Sequence, residues 1–149
     1  MIDRRKFIKS LSSLGISLPL LRAKSFTNTA QNKKMNNPII LCSRGKDWAE
    51  DVLKPGWDIL RKNGSLLDAI EKSANVTELD PRDTSVGYGG LPNEDGVVQL
   101  DASIMYGPNH NCGSVAALEG IKTPSSVARL VMERTDHIHL VAEGAQNFA

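Results

Sequence analysis

The chain has 149 residues, of which 40% are hydrophobic, 23% charged and 5% aromatic, with a formal net charge of +1. This composition excludes a disordered charged tail and allows at most one ordinary globular domain. Residues 1–25 hold six bases and one acid, so the remainder carries 12 basic and 16 acidic residues, a net of −4. A mildly acidic body without a basic patch argues against a nucleic-acid partner.

The N-terminus reads as an address, not as part of the fold. Arg4-Arg5-Lys6-Phe7-Ile8-Lys9 resembles the twin-arginine export motif. The apolar stretch that follows, Leu11 to Leu21, is broken by Ser12, Ser13, Gly15 and Ser17. It falls short of the roughly 20 apolar residues a membrane span needs. Residues 1–25 are therefore expected to be a cleaved signal peptide, with Ala23-Lys24-Ser25 as the candidate cleavage site and no stable membrane anchor. The expected location is periplasmic or secreted. Residues 26–37 are rich in Asn, Thr, Lys and Gln and read as a linker.

Residues 38–149 are expected to form the folded part. Pro38-Ile39-Ile40-Leu41-Cys42 predicts a short buried strand. Arg44 to Lys54 reads as a loop with one helical turn at most. Pro55 then starts a helix that Trp57, Ile59 and Leu60 anchor and Gly64 ends. Ser65-Leu66-Leu67-Asp68 predicts a capped second helix with Leu66, Leu67, Ile70, Ala74 and Thr77 on its buried face. Asp80-Pro81 stops it.

The stretch Val98 to Ile104 alternates cleanly, with Val98, Leu100, Ala102 and Ile104 on one face and Gln99, Asp101 and Ser103 on the other. Asn93 to Gly96 predicts a turn before it, Gly107 to Asn111 a turn after it, and Cys112 to Leu118 an antiparallel partner strand. Thr123-Pro124 predicts a helix start with Thr123 as cap and Val127, Leu130 and Val131 buried. Ile138 to Val141 reads as a strand, and Glu143 to Ala149 as the opening of a further helix.

Two cysteines, Cys42 and Cys112, both fall on predicted strands; they either pair or remain as two buried thiols, and the thiols are favoured. His137 and His139 point to one side of a strand, but His110 and Glu143 are the only further ligand candidates and their spacing is not diagnostic, so no metal is expected. No cofactor is expected either. Asn75-Val76-Thr77 fits a glycosylation pattern and, behind a bacterial-type leader, is read as accidental.

The run Asp80-Pro81-Arg82-Asp83-Thr84-Ser85-Val86-Gly87-Tyr88-Gly89-Gly90 and the run Leu100-Asp101-Ala102-Ser103-Ile104-Met105 are the most specific signals in the chain. Cys112-Gly113-Ser114-Val115-Ala116, Ile121-Lys122, Val127-Ala128-Arg129 and Leu140-Val141 follow in order. Together, over residues 38–149, they resemble the N-terminal half of the glycosylasparaginase family, also called aspartylglucosaminidases.

That resemblance implies an α/β fold, the αββα sandwich of the Ntn hydrolases, here incomplete. It implies hydrolysis of the side-chain amide of a glycosylated asparagine by an N-terminal threonine that the precursor exposes by cutting itself. The threonine's own α-amine serves as base and preorganised donors hold the oxyanion. A related branch acts on asparagine or isoaspartyl peptides. No threonine here has the context of that nucleophile; Asp83-Thr84 looks similar to the cleaved bond, but its surroundings assign it to the pocket loop. The expectation is therefore a chain inactive by itself, lacking a C-terminal half as partner, with unpaired strand edges that make it poorly soluble.

The resemblance places Ser85 at the edge of the substrate pocket, and Gly87, Gly89 and Gly90 where backbone passes close to the site. A turn serine and a phosphate-cradling glycine loop are the competing readings of those positions, the latter weak because no Lys-Ser/Thr follows. Asp101 is read as a member of a network beside the site or, preferably, as a buried paired carboxylate. The family has a pocket tryptophan shortly after the first strand; here Arg44 falls nearest that position and Trp48 comes four residues later. Either Trp48 substitutes or the pocket is shaped differently, with Arg44 paired to a carboxylate or simply exposed. A non-catalytic secreted binding module is the rival from another class, and a nucleotide-binding domain a weaker one.

Overall fold

The computed structural model describes residues 37–149, so the expected leader and all but the last residue of the linker lie outside the described residues. Two helices come first, α1 (Lys46–Arg61) and α2 (Leu66–Glu78). A 3-10 turn at Gly87–Gly89 follows. Strands β1 (Gln99–Tyr106) and β2 (Asn111–Glu119), helix α3 (Pro124–Arg134), strand β3 (His139–Val141) and helix α4 (Ala142–Phe148) complete the order. The three strands form one sheet in the order β1-β2-β3, antiparallel between the first pair and parallel between the second. Helices with a mixed sheet are compatible with the expected α/β class.

The sheet is the best-packed part. Leu100 and Ile104 of β1 and Val115 and Leu118 of β2 turn inward. Ile104, Val115 and Leu118 meet Val127, Ala128, Val131 and Met132 of α3. Gly113 admits α3 because a Cβ there would stand 2.2 Å from the Ala128 carbonyl oxygen. The alternation of β1 therefore burns in its own register: the apolar face covers α3, and Gln99, Asp101, Ser103 and Met105 stay exposed.

Five expectations need correction. Pro38 to Cys42 forms no strand, and Ile39 and Leu41 are 80% and 87% exposed. A strand exists only with a hydrogen-bonding neighbour, and none of the described strands pairs with this segment. Helix α1 begins at Lys46, nine residues ahead of Pro55, which sits inside it. Proline there removes one helical bond, to the carbonyl of Asp51, an exposed residue whose carbonyl water can serve.

The left-handed residue after α1 is Asn63 (φ 57°), one position before the expected Gly64; asparagine tolerates that region next best after glycine. The buried side of α2 is Leu67, Ala69, Ser73 and Thr77, while Leu66 and Ile70 are exposed. The rotation follows from close helix contact: a Cβ on Gly56 of α1 would come within 2.3 Å of Ser73 Oγ and 2.6 Å of the Ala69 carbonyl. Small residues, not the largest apolar ones, fit between such helices.

The cap of α3 is also not the expected one. Thr123 makes no side-chain cap bond, although Pro124 holds the first position. Glu78, at the end of α2 and 5% exposed, takes the role from a distance. Its Oε1 accepts the Ser125 N–H at 2.9 Å, and its Oε2 accepts the Ser125 hydroxyl at 2.8 Å and Asn75 Nδ2 at 2.8 Å. A carboxylate at a helix N-terminus satisfies an orphan donor and opposes the helix dipole. Asn75 is thus tied to α3 through Glu78, Ser125 and Ser126.

Candidate functional site

The loop that carries Asp80 to Gly90 starts where α2 stops. Asp80 takes the Arg82 backbone N–H at 2.9 Å and its guanidinium at 2.7 Å. Those two bonds hold the Asp80 carboxyl down at about 2. The same guanidinium lies 5.8 Å from the centre of the Trp48 ring. Trp48 therefore stands on the first turn of α1 against Arg82, itself exposed.

Beyond it the chain wraps around Asp83, which is 4% exposed. One oxygen, Oδ1, accepts both the Ser85 N–H at 2.9 Å and the Ser85 hydroxyl at 2.6 Å. Arg44 reaches in from the N-terminal segment. Its Nη2 donates to Ser85 Oγ at 2.7 Å and lies 2.8 Å from Asp83 Oδ2. That second contact is one of charge only, since its angles do not make a hydrogen bond. Burial pushes the Asp83 carboxyl upward, but the two Ser85 donors and Arg44 outweigh it and hold it below its ordinary value.

The chemical state of Ser85 follows. Its one proton is directed at Asp83, and one lone pair is taken by Arg44. What remains is an acceptor. Ser85 in this arrangement receives a hydrogen bond from a ligand N–H or O–H; it has no proton to give an oxyanion.

Glycines make the loop possible. Gly87 has φ +60°, and a Cβ there would stand 2.1 Å from the Glu78 carbonyl oxygen. At Gly89 a Cβ would fall 2.4 Å from the Asp83 carbonyl oxygen. Gly90 packs more loosely, where a Cβ would stand 3.1 Å from the Gly87 carbonyl oxygen and from the Leu100 side chain. These residues seat the loop on α2 and on itself. Tyr88, between them, is exposed, with Lys122 Nζ 4.4 Å from its ring centre.

Asp101 stands apart from this cluster. It is exposed, not buried, and its Oδ1 accepts the Ala117 N–H at 2.8 Å. The register between β1 and β2 slips between Leu100 and Ala102, and Ala117 is forced to φ 50°. Asp101 therefore serves the bulge. Cys42 and Cys112 are both free and half-buried, with Cys42 off any strand. His139 Nδ1 lies 2.7 Å from Ser114 Oγ, and among the described residues no three His, Cys, Asp or Glu side chains gather as metal ligands would.

Sequence reasoning named Arg44 and Ser85 and missed Asp83, the residue that joins them. Its Asp-x-Ser spacing is an ordinary turn signature, and only burial separates it from an exposed turn aspartate.

Helices on a mixed sheet carry a glycine-seated loop that presents Ser85 beside Arg44. Comparison with known proteins gives the relationship. The asparaginase family profile matches residues 29–149. An N(4)-(beta-N-acetylglucosaminyl)-L-asparaginase from Elizabethkingia miricola is 46% identical over 149 residues, 99% of this chain and 43% of the relative. A plant-type L-asparaginase from Pyrococcus horikoshii is 50% identical over 94 residues, 63% of this chain and 30% of its own length. An isoaspartyl peptidase/L-asparaginase from Rattus norvegicus is 44% identical over 94 residues, 63% of this chain and 28% of its own. The chain belongs to the asparaginase family, within the Ntn hydrolases. It spans less than half the length of these curated relatives.

Proposed function

We propose that this chain supplies one wall of the substrate pocket of an amidohydrolase that cleaves the side-chain amide of asparagine, glycosylated or free. The attacking threonine, with the α-amine that serves as its base, comes from sequence outside these 149 residues. The observation that carries the reading is the Arg44–Asp83–Ser85 cluster held on the glycine loop. Family membership and the partial span of the relatives support it. On this reading the three-stranded sheet is part of an αββα sandwich whose remaining strands lie in the same outside sequence, and Pro38 to Cys42 joins that sheet when they are present. The exposed Ile39 and Leu41 support this, because a sheet would cover them.

The test compares two proteins: the 149-residue chain alone, and the chain produced with the coding sequence that adjoins it in its genome. Each is assayed for aspartate or ammonia release from N4-(N-acetylglucosaminyl)asparagine, asparagine and an isoaspartyl dipeptide. Activity is expected only in the second. Turnover by the chain alone sinks the proposal.

Residues 1–25 are proposed to direct export, on the strength of Arg4-Arg5 and the short apolar stretch behind them. Replacing both arginines by lysine is expected to trap the protein inside the cell, read by fractionation.

A further inference from the structure

The cleft between the N-terminal segment and the α1–α2 hairpin holds one thiol. Cys42 lines it, half-buried, in a space of about 430 Å³ whose walls include Val52, Leu53 and Ile70. Exposure alternates along this segment: Ile39 and Leu41 are open to solvent, whereas Ile40 and Cys42 are half-buried beside the helices. Sheet cover on the first pair, as proposed above, leaves the second pair toward the helices.

Two polar groups in the cleft suit a more polar sulfur than a thiol. The Arg44 backbone N–H donates to Cys42 Sγ at 3.3 Å. Ser73, 7% exposed, also lines the cleft, and among the described residues its hydroxyl has no hydrogen-bond partner. A buried hydroxyl without a partner is costly and gains from a polar atom brought within reach. A thiol is a weak donor and a weak acceptor, so it offers Ser73 little; an oxygen carried on the sulfur offers both functions. Cys112, the only other cysteine of the chain, does not line the cleft. An oxidised Cys42 therefore has no second thiol in the cleft with which to close a disulfide.

We infer that Cys42 is a modification site, a thiol that small peroxides convert to a sulfenic acid sheltered by the cleft. A sulfur lone pair attacks one peroxide oxygen. The S–O bond forms as the O–O bond breaks, and the thiol proton leaves with the departing oxygen as water or an alcohol. Sulfur loses two electrons and the peroxide gains them. The new S–O–H group then shares a hydrogen bond with Ser73. Two equivalents of an external thiol restore the cysteine through a mixed disulfide, with release of water. Nothing in this depends on the amide hydrolysis proposed above.

The full chain is treated with hydrogen peroxide in the presence of dimedone, which traps sulfenic acids. Both cysteine peptides are quantified by mass spectrometry, from native protein and from protein in urea. The native chain is expected to carry at least about fivefold more adduct on Cys42 than on Cys112, and in urea the two are expected to label alike. In a second arm the peroxide is removed by catalase and dimedone is added after a delay, which reads how long the sulfenic acid survives. Ser73→Ala is expected to shorten survival at Cys42 by about threefold or more and to leave Cys112 unchanged. Equal native labelling, adduct on neither cysteine, a preference that persists in urea, or an unchanged lifetime in Ser73→Ala overturns the inference. Should Ser73→Ala fail to fold, the native-against-urea ratio of wild type decides it.

Discussion

Two arginines make an instructive pair. Arg129 of α3 is surrounded by carboxylates, with Glu71 at 2.6 Å, Asp68 at 2.7 Å and Glu133 at 2.8 Å. Burial works against its charge, but the bonds to Glu133, Asp68 and Glu71 overcome that and raise its pKa. Arg44 has one carboxylate and one hydroxyl, both met through the same nitrogen. The first cluster gathers three carboxylates on two guanidinium nitrogens and ties α2 to α3. The second is left open toward a cleft. A cation ringed by carboxylates from two helices serves to join them, whereas a cation with a single carboxylate partner at the edge of a cleft is less committed to the fold.

The strongest way to break this contrast lies at the α2–α3 junction itself. Glu78→Ala strands the buried Ser125 N–H and hydroxyl, while Asn75 keeps the Ser125 and Ser126 hydroxyls as acceptors, at a cost of roughly 3 kcal/mol, since bonds to a charged group are the strong ones. Glu78→Gln keeps an acceptor and is expected to lose about half as much. Denaturant unfolding checks both. A loss within experimental error in Glu78→Ala contradicts the junction as described.

Next comes Arg129→Met, which leaves three carboxylates facing one another. It is expected to cost about 2 kcal/mol, moderated because Asp68 and Glu133 still reach water. Arg44→Met sharpens the comparison from the other side. Asp83 keeps both Ser85 donors, so the loss is about 1 kcal/mol or less. If the two arginine variants cost the same in unfolding experiments, the distinction between a filled and an open cluster fails.

The same contrast explains what the sequence reveals. The hairpin β1–β2 is legible because alternation maps directly onto one buried face, and α3 because its apolar residues recur at helical spacing. Helix α2 is legible as a helix, and Ser65 does accept the Asp68 N–H, at 3.4 Å. Its buried face is not, because Ala69 and Ser73 are inside only through the close approach of Gly56, a tertiary fact. The cap of α3 comes from Glu78, 47 residues away from Ser125, beyond any local pattern. Pro38 to Cys42 carries a strand's composition, but pairing depends on a neighbour elsewhere. At the site, Arg44 and Ser85 drew attention as a departure from the family pattern and a match to it, respectively. Asp83 looked like any turn aspartate, since burial and the 41-residue reach between Arg44 and Ser85 have no sequence signature.

The smallest expected effect concerns acid. Asp83 is held below its ordinary value in the folded protein, so the native state binds fewer protons there than the unfolded chain. Its contribution is fully present above the unfolded carboxylate range, near 4, and drains away as pH falls through the folded value. Asp80 titrates in the same window, at about 2 when folded. Its partner Arg82 is only two residues distant, however, so that pair persists in the unfolded chain and adds little slope. Asp83 depends on Arg44, 39 residues earlier, and on a loop that exists only when folded. Unfolding free energies measured between about pH 5 and pH 2 should therefore fall less steeply in Asp83→Asn than in wild type, whereas Asp80→Asn should leave the slope nearly unchanged. Parallel curves for wild type and Asp83→Asn would mean that the Asp83 charge is equally well served by water, and the open cluster would then be an exposed turn after all.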